Sequence, residues 1–165
     1  MNSFHSSVTI ARNVTEVMAA FWRLEEWPKI TAHVRAIDLL FDDENVQVLL
    51  MHVDSRGKRD VFKSVRVRQA NVIFYFQPVP PPTLKFHRGA WEFEAVPTGT
   101  RVTCRHEIVA DPNGCRQFFL NTGLELEANA AVVKLEDLIK NNSNQTMEAL
   151  KRSLEAIAVA QEAAS

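Results

Sequence analysis

Lys58–Gln69 reads KRDVFKSVRVRQ, and the fold turns on which side of this stretch faces inward. Val61, Phe62, Val65 and Val67 favour a pleated surface, and no Gly or Pro interrupts them, so a strand is predicted. Successive side chains of a strand point to opposite faces. Phe62, Ser64, Arg66 and Arg68 therefore share one face, and Val61, Lys63, Val65 and Val67 share the other. With the Ser64 face outward, this is an ordinary half-buried strand with solvated arginines. With it inward, a hydroxyl and a guanidinium sit inside the protein, where charge is costly unless it is paired or used.

Working outward, strands are predicted over Val34–Phe41, Val46–Asp54, Val72–Gln77, Thr83–Val96 and Thr100–Ala110 as well. Turn chemistry separates them: Asp42–Asn45, Ser55-Arg56-Gly57, Gln69–Asn71, Pro78–Pro82 and Pro97-Thr98-Gly99. Such short separators imply an antiparallel meander. Upstream, Ser3–Ile10 is a further strand, and Asn13 caps a helix with Glu16 at the capping-box position. Trp27-Pro28 ends that helix and opens a second short one. Asp111-Pro112-Asn113-Gly114 closes the sheet region.

From about Glu127 to Ala160 the chain is helical, roughly 45–50 Å long at 1.5 Å per residue. Val132, Leu135, Ile139, Asn142, Thr146, Leu150, Ser153 and Ile157 fall on one stripe. Asn141–Asn144 holds four poor helix formers, so a break there is the alternative. The class is α+β: about seven antiparallel strands whose apolar face only the C-terminal helix is long enough to cover. A curved sheet gripping one helix leaves an enclosed space, the usual form of a small-molecule site.

Composition narrows the classes. A formal net charge of −1 over 165 residues gives no electrostatic reason for nucleic acid or an anionic membrane as partner. The N-terminus lacks a basic region followed by an apolar run, and no stretch approaches a membrane span, so the cytoplasm is the default expectation. Cys104, Cys115 and five scattered histidines have no metal-ligand spacing, so no metal is expected.

Several polar residues are predicted to point inward. In the last strand Val102, Cys104, His106 and Ile108 share the apolar face, so His106 is either a satisfied core imidazole or a proton-transfer group. Cys104 beside it makes a Cys–His nucleophilic pair conceivable, although in-strand neighbours are poorly oriented for proton transfer. Arg66 and Asn142 join His106 from two other elements.

Taken together, Trp27-Pro28, Lys63-Ser64-Val65-Arg66, Trp91-Glu92-Phe93-Glu94, Gly99–Thr103 leading to His106, and Asn142-Ser143 with Gln145-Thr146-Met147 make a pattern. In this order and spacing the sequence resembles the polyketide aromatase/cyclases of the helix-grip superfamily, which also holds START domains and the birch-pollen allergens. The resemblance implies one helix-grip, START-like domain over residues 1–165, with a cavity lined by Trp27, Ser64, Arg66, Trp91, His106 and Asn142. It makes Arg66 the central catalytic group. Some members carry a tyrosine and a serine after the Trp-Pro, where this chain has Val34 and Ala32, with His33 nearby.

The implied function is regiospecific aldol cyclisation and dehydration of a poly-β-ketone, which requires no redox cofactor or metal. Arg66 would stabilise the developing oxyanion, His106 would transfer protons, and Asn142 and Ser64 would orient substrate or water. Trp27 and Trp91 would hold the folded chain. By the same resemblance the substrate arrives on an acyl carrier protein, with the Arg56–Lys58–Arg59 turn as a docking point. Replacing Arg66 with Ala is expected to relieve a buried charge and leave the fold intact. The alternatives are a non-catalytic binder or carrier of a hydrophobic small molecule, and an interaction module with a filled core. Monomer and homodimer both remain open.

Overall fold

A computed structural model describes residues 1–55 and 58–163; of Ser55, Lys58, Ala158, Val159 and residues 161–163 it describes the backbone only. The chain runs β1 (Asn2–Ile10), α1 (Val14–Trp22), a 3-10 turn at Leu24–Glu26, α2 (Trp27–Ile30), β2 (Val34–Asp42), β3 (Val46–Ser55), β4 (Lys58–Gln69), β5 (Val72–Val79), β6 (Leu84–Val96), β7 (Gly99–Ala110), α3 (Pro112–Asn121) and α4 (Ala128–Ala163). The seven strands form one sheet in the order β1-β7-β6-β5-β4-β3-β2, and every pair is antiparallel. Register shifts between β2 and β3, β4 and β5, and β6 and β7 bend it, as bulges do, so that it curls around α4. No helix among the described residues is long and apolar enough to cross a membrane.

Asn13 caps α1, its Oδ1 accepting from the Glu16 amide at 3.0 Å, while the Glu16 carboxylate pairs with Arg12 instead of closing a capping box. α4 is unbroken through Asn141–Asn144. The polar side chains there turn their hydrogen bonds onto their own helix: Ser143 Oγ donates to the Ile139 carbonyl and Thr146 Oγ1 to that of Asn142. Leu135, Thr146 and Leu150 of the predicted stripe are buried, and the buried face also takes in Ser143 and Met147, while Ile157 is half exposed.

α3 was not legible as a helix, because Asp111-Pro112-Asn113-Gly114 reads as a turn. Pro112 instead occupies the first helical turn, where its missing N–H costs nothing. Gly114 serves a close approach, since a methyl group on it would lie 2.1 Å from the Pro82 carbonyl oxygen. Phe118, Phe119 and Cys115 of α3 then pack with Leu84, Ile108 and Leu135. A second core lies under α1, where Phe21, Trp27, Ile73 and Trp91 meet Met147 and Leu150. α4 thus spans two apolar cores, and its polar segment lies between them.

The Ser64 face of β4 is the inner one: Ser64 and Arg66 are buried, whereas Val61 and Val67 are exposed. Register then aligns Gln47, Arg66, Tyr75, Gly89, His106 and Phe4 in one row across β3, β4, β5, β6, β7 and β1. Tyr75 reaches His106, two strands away, because Gly89 between them has no side chain. A methyl group there would lie 2.2 Å from Tyr75 Oη and 2.0 Å from the Arg105 carbonyl oxygen. Gly89→Ala should therefore expel the phenol and cost about 1–3 kcal/mol of stability by urea unfolding. A variant as stable as the parent would show that the Tyr75 ring does not cross this point.

Candidate functional site

A cavity of about 460 Å³ lies between the inner face of the sheet and the middle of α4. Arg66, His106, Asn142, Trp27, Ser64 and Trp91 all line it, and so does His33. Trp27 and Trp91 meet edge to face at 6.2 Å, with Phe21 against both, forming an aromatic wall. Sealed polar atoms on the lining residues, among them Trp27 Nε1 and Gln77 Oε1, have no partner among the described residues. Leaving such atoms unpaired is costly.

Arg66 is braced rather than bare. Nη1 donates to Gln47 Oε1 at 2.9 Å and to the Trp22 carbonyl at 3.3 Å, and Nη2 donates to the Phe21 carbonyl at 2.5 Å. These carbonyls end α1, where helix C-termini lack internal donors and carry partial negative charge. The guanidinium also lies over the Trp22 and Trp27 rings at 5.2 and 5.6 Å. Burial pulls its pKa down to about 9, with Asp42 pushing the other way, so it remains charged at neutral pH. Its Nε–H and one Nη2–H have no partner among the described residues, and Nε is not sealed.

His106 sits in a network. Nδ1 faces Tyr75 Oη at 2.6 Å and His87 Nε2 at 3.0 Å, and Nε2 faces Ser143 Oγ at 2.7 Å and Cys104 Sγ at 3.2 Å. The Phe4 ring stacks on it at 5.1 Å. Burial, then the neighbouring His87 ring, pulls the His106 pKa down to about 3, and burial pulls His87 down to about 4. Both rings are neutral at pH 7. Burial raises the Tyr75 phenol well above its ordinary range, so it stays protonated. Burial also pushes the Cys104 thiol up to about 12. Cys104 and His106 therefore touch, but no thiolate–imidazolium pair forms between them.

The residue of α4 that meets His106 is Ser143. Asn142 borders the cavity one position earlier, and its side chain has no partner among the described residues. One residue turns a helix by 100°, so a stripe drawn from periodicity alone misses such an offset. Tyr75, His87 and Gln47 were missed too. Their signal was strand phase: His87 is two steps of two from Trp91, and Tyr75 is one step of two from Ile73. Arg56 lies outside the described residues, as does the Lys58 side chain, while Arg59 is exposed at the start of β4.

No protein-family model matches the sequence, and no curated protein matches it. Solved structures do match the fold. The di-domain ARO/CYC StfQ from the steffimycin biosynthetic pathway superposes with a TM-score of 0.83 at 23% identity, over 94% of this chain and 52% of that one. This chain thus spans about half of that protein. The Zhui aromatase/cyclase from Streptomyces sp. R1128 superposes with a TM-score of 0.80 at 23% identity, over 93% of each chain. A START superfamily protein from Mycobacterium smegmatis does so at 0.63 and 14%, over 93% of this chain and 94% of that one. The fold is the helix-grip fold.

The bracing of Arg66 argues against the expectation that its removal leaves the fold intact. Arg66→Ala strands the Phe21 carbonyl and the Gln47 amide oxygen in a buried site, and leaves the Trp22 carbonyl only its bond from Gln47 Nε2. It should cost about 1–3 kcal/mol for each acceptor left unpaired. Thermal or urea unfolding checks this, and an unchanged or raised stability would mean that the guanidinium does not hold α1.

Proposed function

We propose that this domain is a polyketide aromatase/cyclase: it folds a reactive poly-β-ketone in the cavity, closes a ring by aldol addition and dehydrates it. The observation that carries the reading is the placement of a charged guanidinium and a neutral imidazole in one row of an otherwise largely apolar cavity. The domain that holds them has the fold of the Zhui aromatase/cyclase.

The chemistry asks for a proton acceptor at a carbon flanked by two ketones, a donor to the attacked carbonyl, and an acid for the departing hydroxyl. Arg66 supplies the donor through its two uncommitted N–H groups, held in place by the three that are bonded. A methylene between two carbonyls is acidic for a carbon acid, so a neutral imidazole suffices as base. His106 and the groups bonded to it move the proton. Asn142 and Ser64 orient the chain or a water, and the Trp27–Trp91 wall fixes which carbons meet. The substrate comes from an acyl carrier protein, with Arg56, Lys58 and Arg59 as its docking residues.

One observation favours the non-catalytic carrier of a hydrophobic small molecule: three of the Arg66 donors already serve α1 and Gln47, a purely structural use. Product analysis decides between the two. With a synthetic poly-β-ketone thioester, the parent should give cyclised, dehydrated product faster than buffer. Arg66→Lys should lose about 10²–10³-fold in rate, because it keeps the charge without the planar fork. Tight binding of an aromatic polyketide without any acceleration would establish the carrier instead.

A further inference from the structure

We propose that His87 is the side chain that exchanges protons with the substrate, with His106 acting through it as a positioning residue; this rests on the cyclase reading. His106 offers no open nitrogen. Tyr75 and His87 occupy Nδ1, Ser143 and Cys104 occupy Nε2, and Phe4 covers one ring face. A substrate could reach either nitrogen only by displacing a partner.

His87 is placed differently. Its Nε2 is bound to His106, while Nδ1 has no partner among the described residues and is not among the sealed polar atoms. The ring is 6% exposed and borders the cavity, so the open space beside it is the cavity itself. The two imidazoles lie 5.3 Å apart between centroids, with planes 28° apart. That separation is close to the N···N distance plus two ring radii. The rings therefore meet edge to edge, as an N–H···N hydrogen bond requires, and not face to face.

The Tyr75 hydroxyl can turn its one hydrogen to the Arg105 carbonyl or to His106 Nδ1, and with it the contacts allow two tautomers of the pair. In one, His87 carries its proton on Nε2 and shows the cavity a bare Nδ1 lone pair. In the other, His106 carries the proton on Nδ1 and His87 shows the cavity an Nδ1–H. The first is a base and the second an acid, and cyclisation with dehydration needs both. In the first step a substrate C–H bond breaks and its electron pair stays on carbon as an enolate. The proton goes to His87 Nδ1, and the Nε2–H of His87 passes to His106 Nδ1. The imidazolium formed on His106 is held by the oxygens of Tyr75 and Ser143. The enolate carbon then bonds to the attacked carbonyl carbon, whose oxygen takes the proton back from His87. In the second step another C–H proton follows the same route and returns to the hydroxyl, which departs as water. No proton is gained or lost overall.

The test compares rates of cyclised product formation from the poly-β-ketone thioester for the parent, His87→Ala, His87→Gln, His106→Asn and His106→Leu, with folding followed by thermal melting. Both His87 variants should lose about 10²–10⁴-fold in kcat at nearly constant KM. Free imidazole should restore His87→Ala, because the vacated space opens on the cavity. His106→Asn, which keeps an acceptor for the His87 Nε2–H, should retain much more kcat than His106→Leu. Diethyl pyrocarbonate gives a readout that needs no variant: mapped by mass spectrometry on the parent, it should modify His87 and spare His106. An active parent whose His87 variants keep its rate, or in which His106 is modified and His87 spared, overturns the relay alone. A parent that makes no cyclised product removes the cyclase reading, and the relay with it.

Discussion

The rest of the structure depends on how one buried guanidinium is satisfied. Taking Arg66 out of water costs several kcal/mol, and an isolated charge there would not be tolerated. The end of α1 supplies two carbonyls, β3 supplies the Gln47 amide, and Trp22 and Trp27 supply aromatic faces. The bonds run both ways. The same contacts fix α1 against the middle of the sheet, and thereby fix Phe21 and Trp27 as one wall of the cavity. With Arg66 at its centre, the floor cannot close as an apolar core. The apolar packing divides into a cluster under α1 and another under α3, and α4 bridges them.

Across the sheet, the row that begins at Gln47 and Arg66 continues through Tyr75 to His106. Its two halves are treated oppositely by the same low-polarity surroundings. The guanidinium keeps its charge, because its ordinary pKa is so high that burial only lowers it to about 9. The imidazoles begin close to neutrality and lose their charge altogether. The cavity therefore presents a fixed cation at one side and uncharged, mutually hydrogen-bonded imidazoles at the other. That division suits chemistry in which negative charge grows on oxygen while a proton moves elsewhere.

Much of the fold was legible because its signals are local. Turn residues separate the strands, Asn13 caps α1, and Val102, Cys104 and Ile108 set the inward phase of His106. Arg66 was ambiguous from its own strand, since both faces of β4 mix apolar and charged residues. Its partners are carbonyls of a distant helix, which leave no mark in sequence. α3 was hidden by a tetrapeptide that spells a turn, and its glycine answers to Pro82, far away along the chain. The Tyr75–His106 contact depends on register across three strands and on the bare Gly89 between them, and no one-dimensional pattern carries register. Ser143 differs from the predicted Asn142 by one helical step, which only packing against the sheet decides.

The proposed chemistry rests on burial keeping His87 and His106 uncharged. Imidazole ¹⁵N chemical shifts of the two residues, followed from about pH 8 to about pH 5, test it directly, because an ordinary histidine titrates near 6.5 in that range. Both rings should stay neutral throughout. Titration of either His87 or His106 near the ordinary value would contradict it.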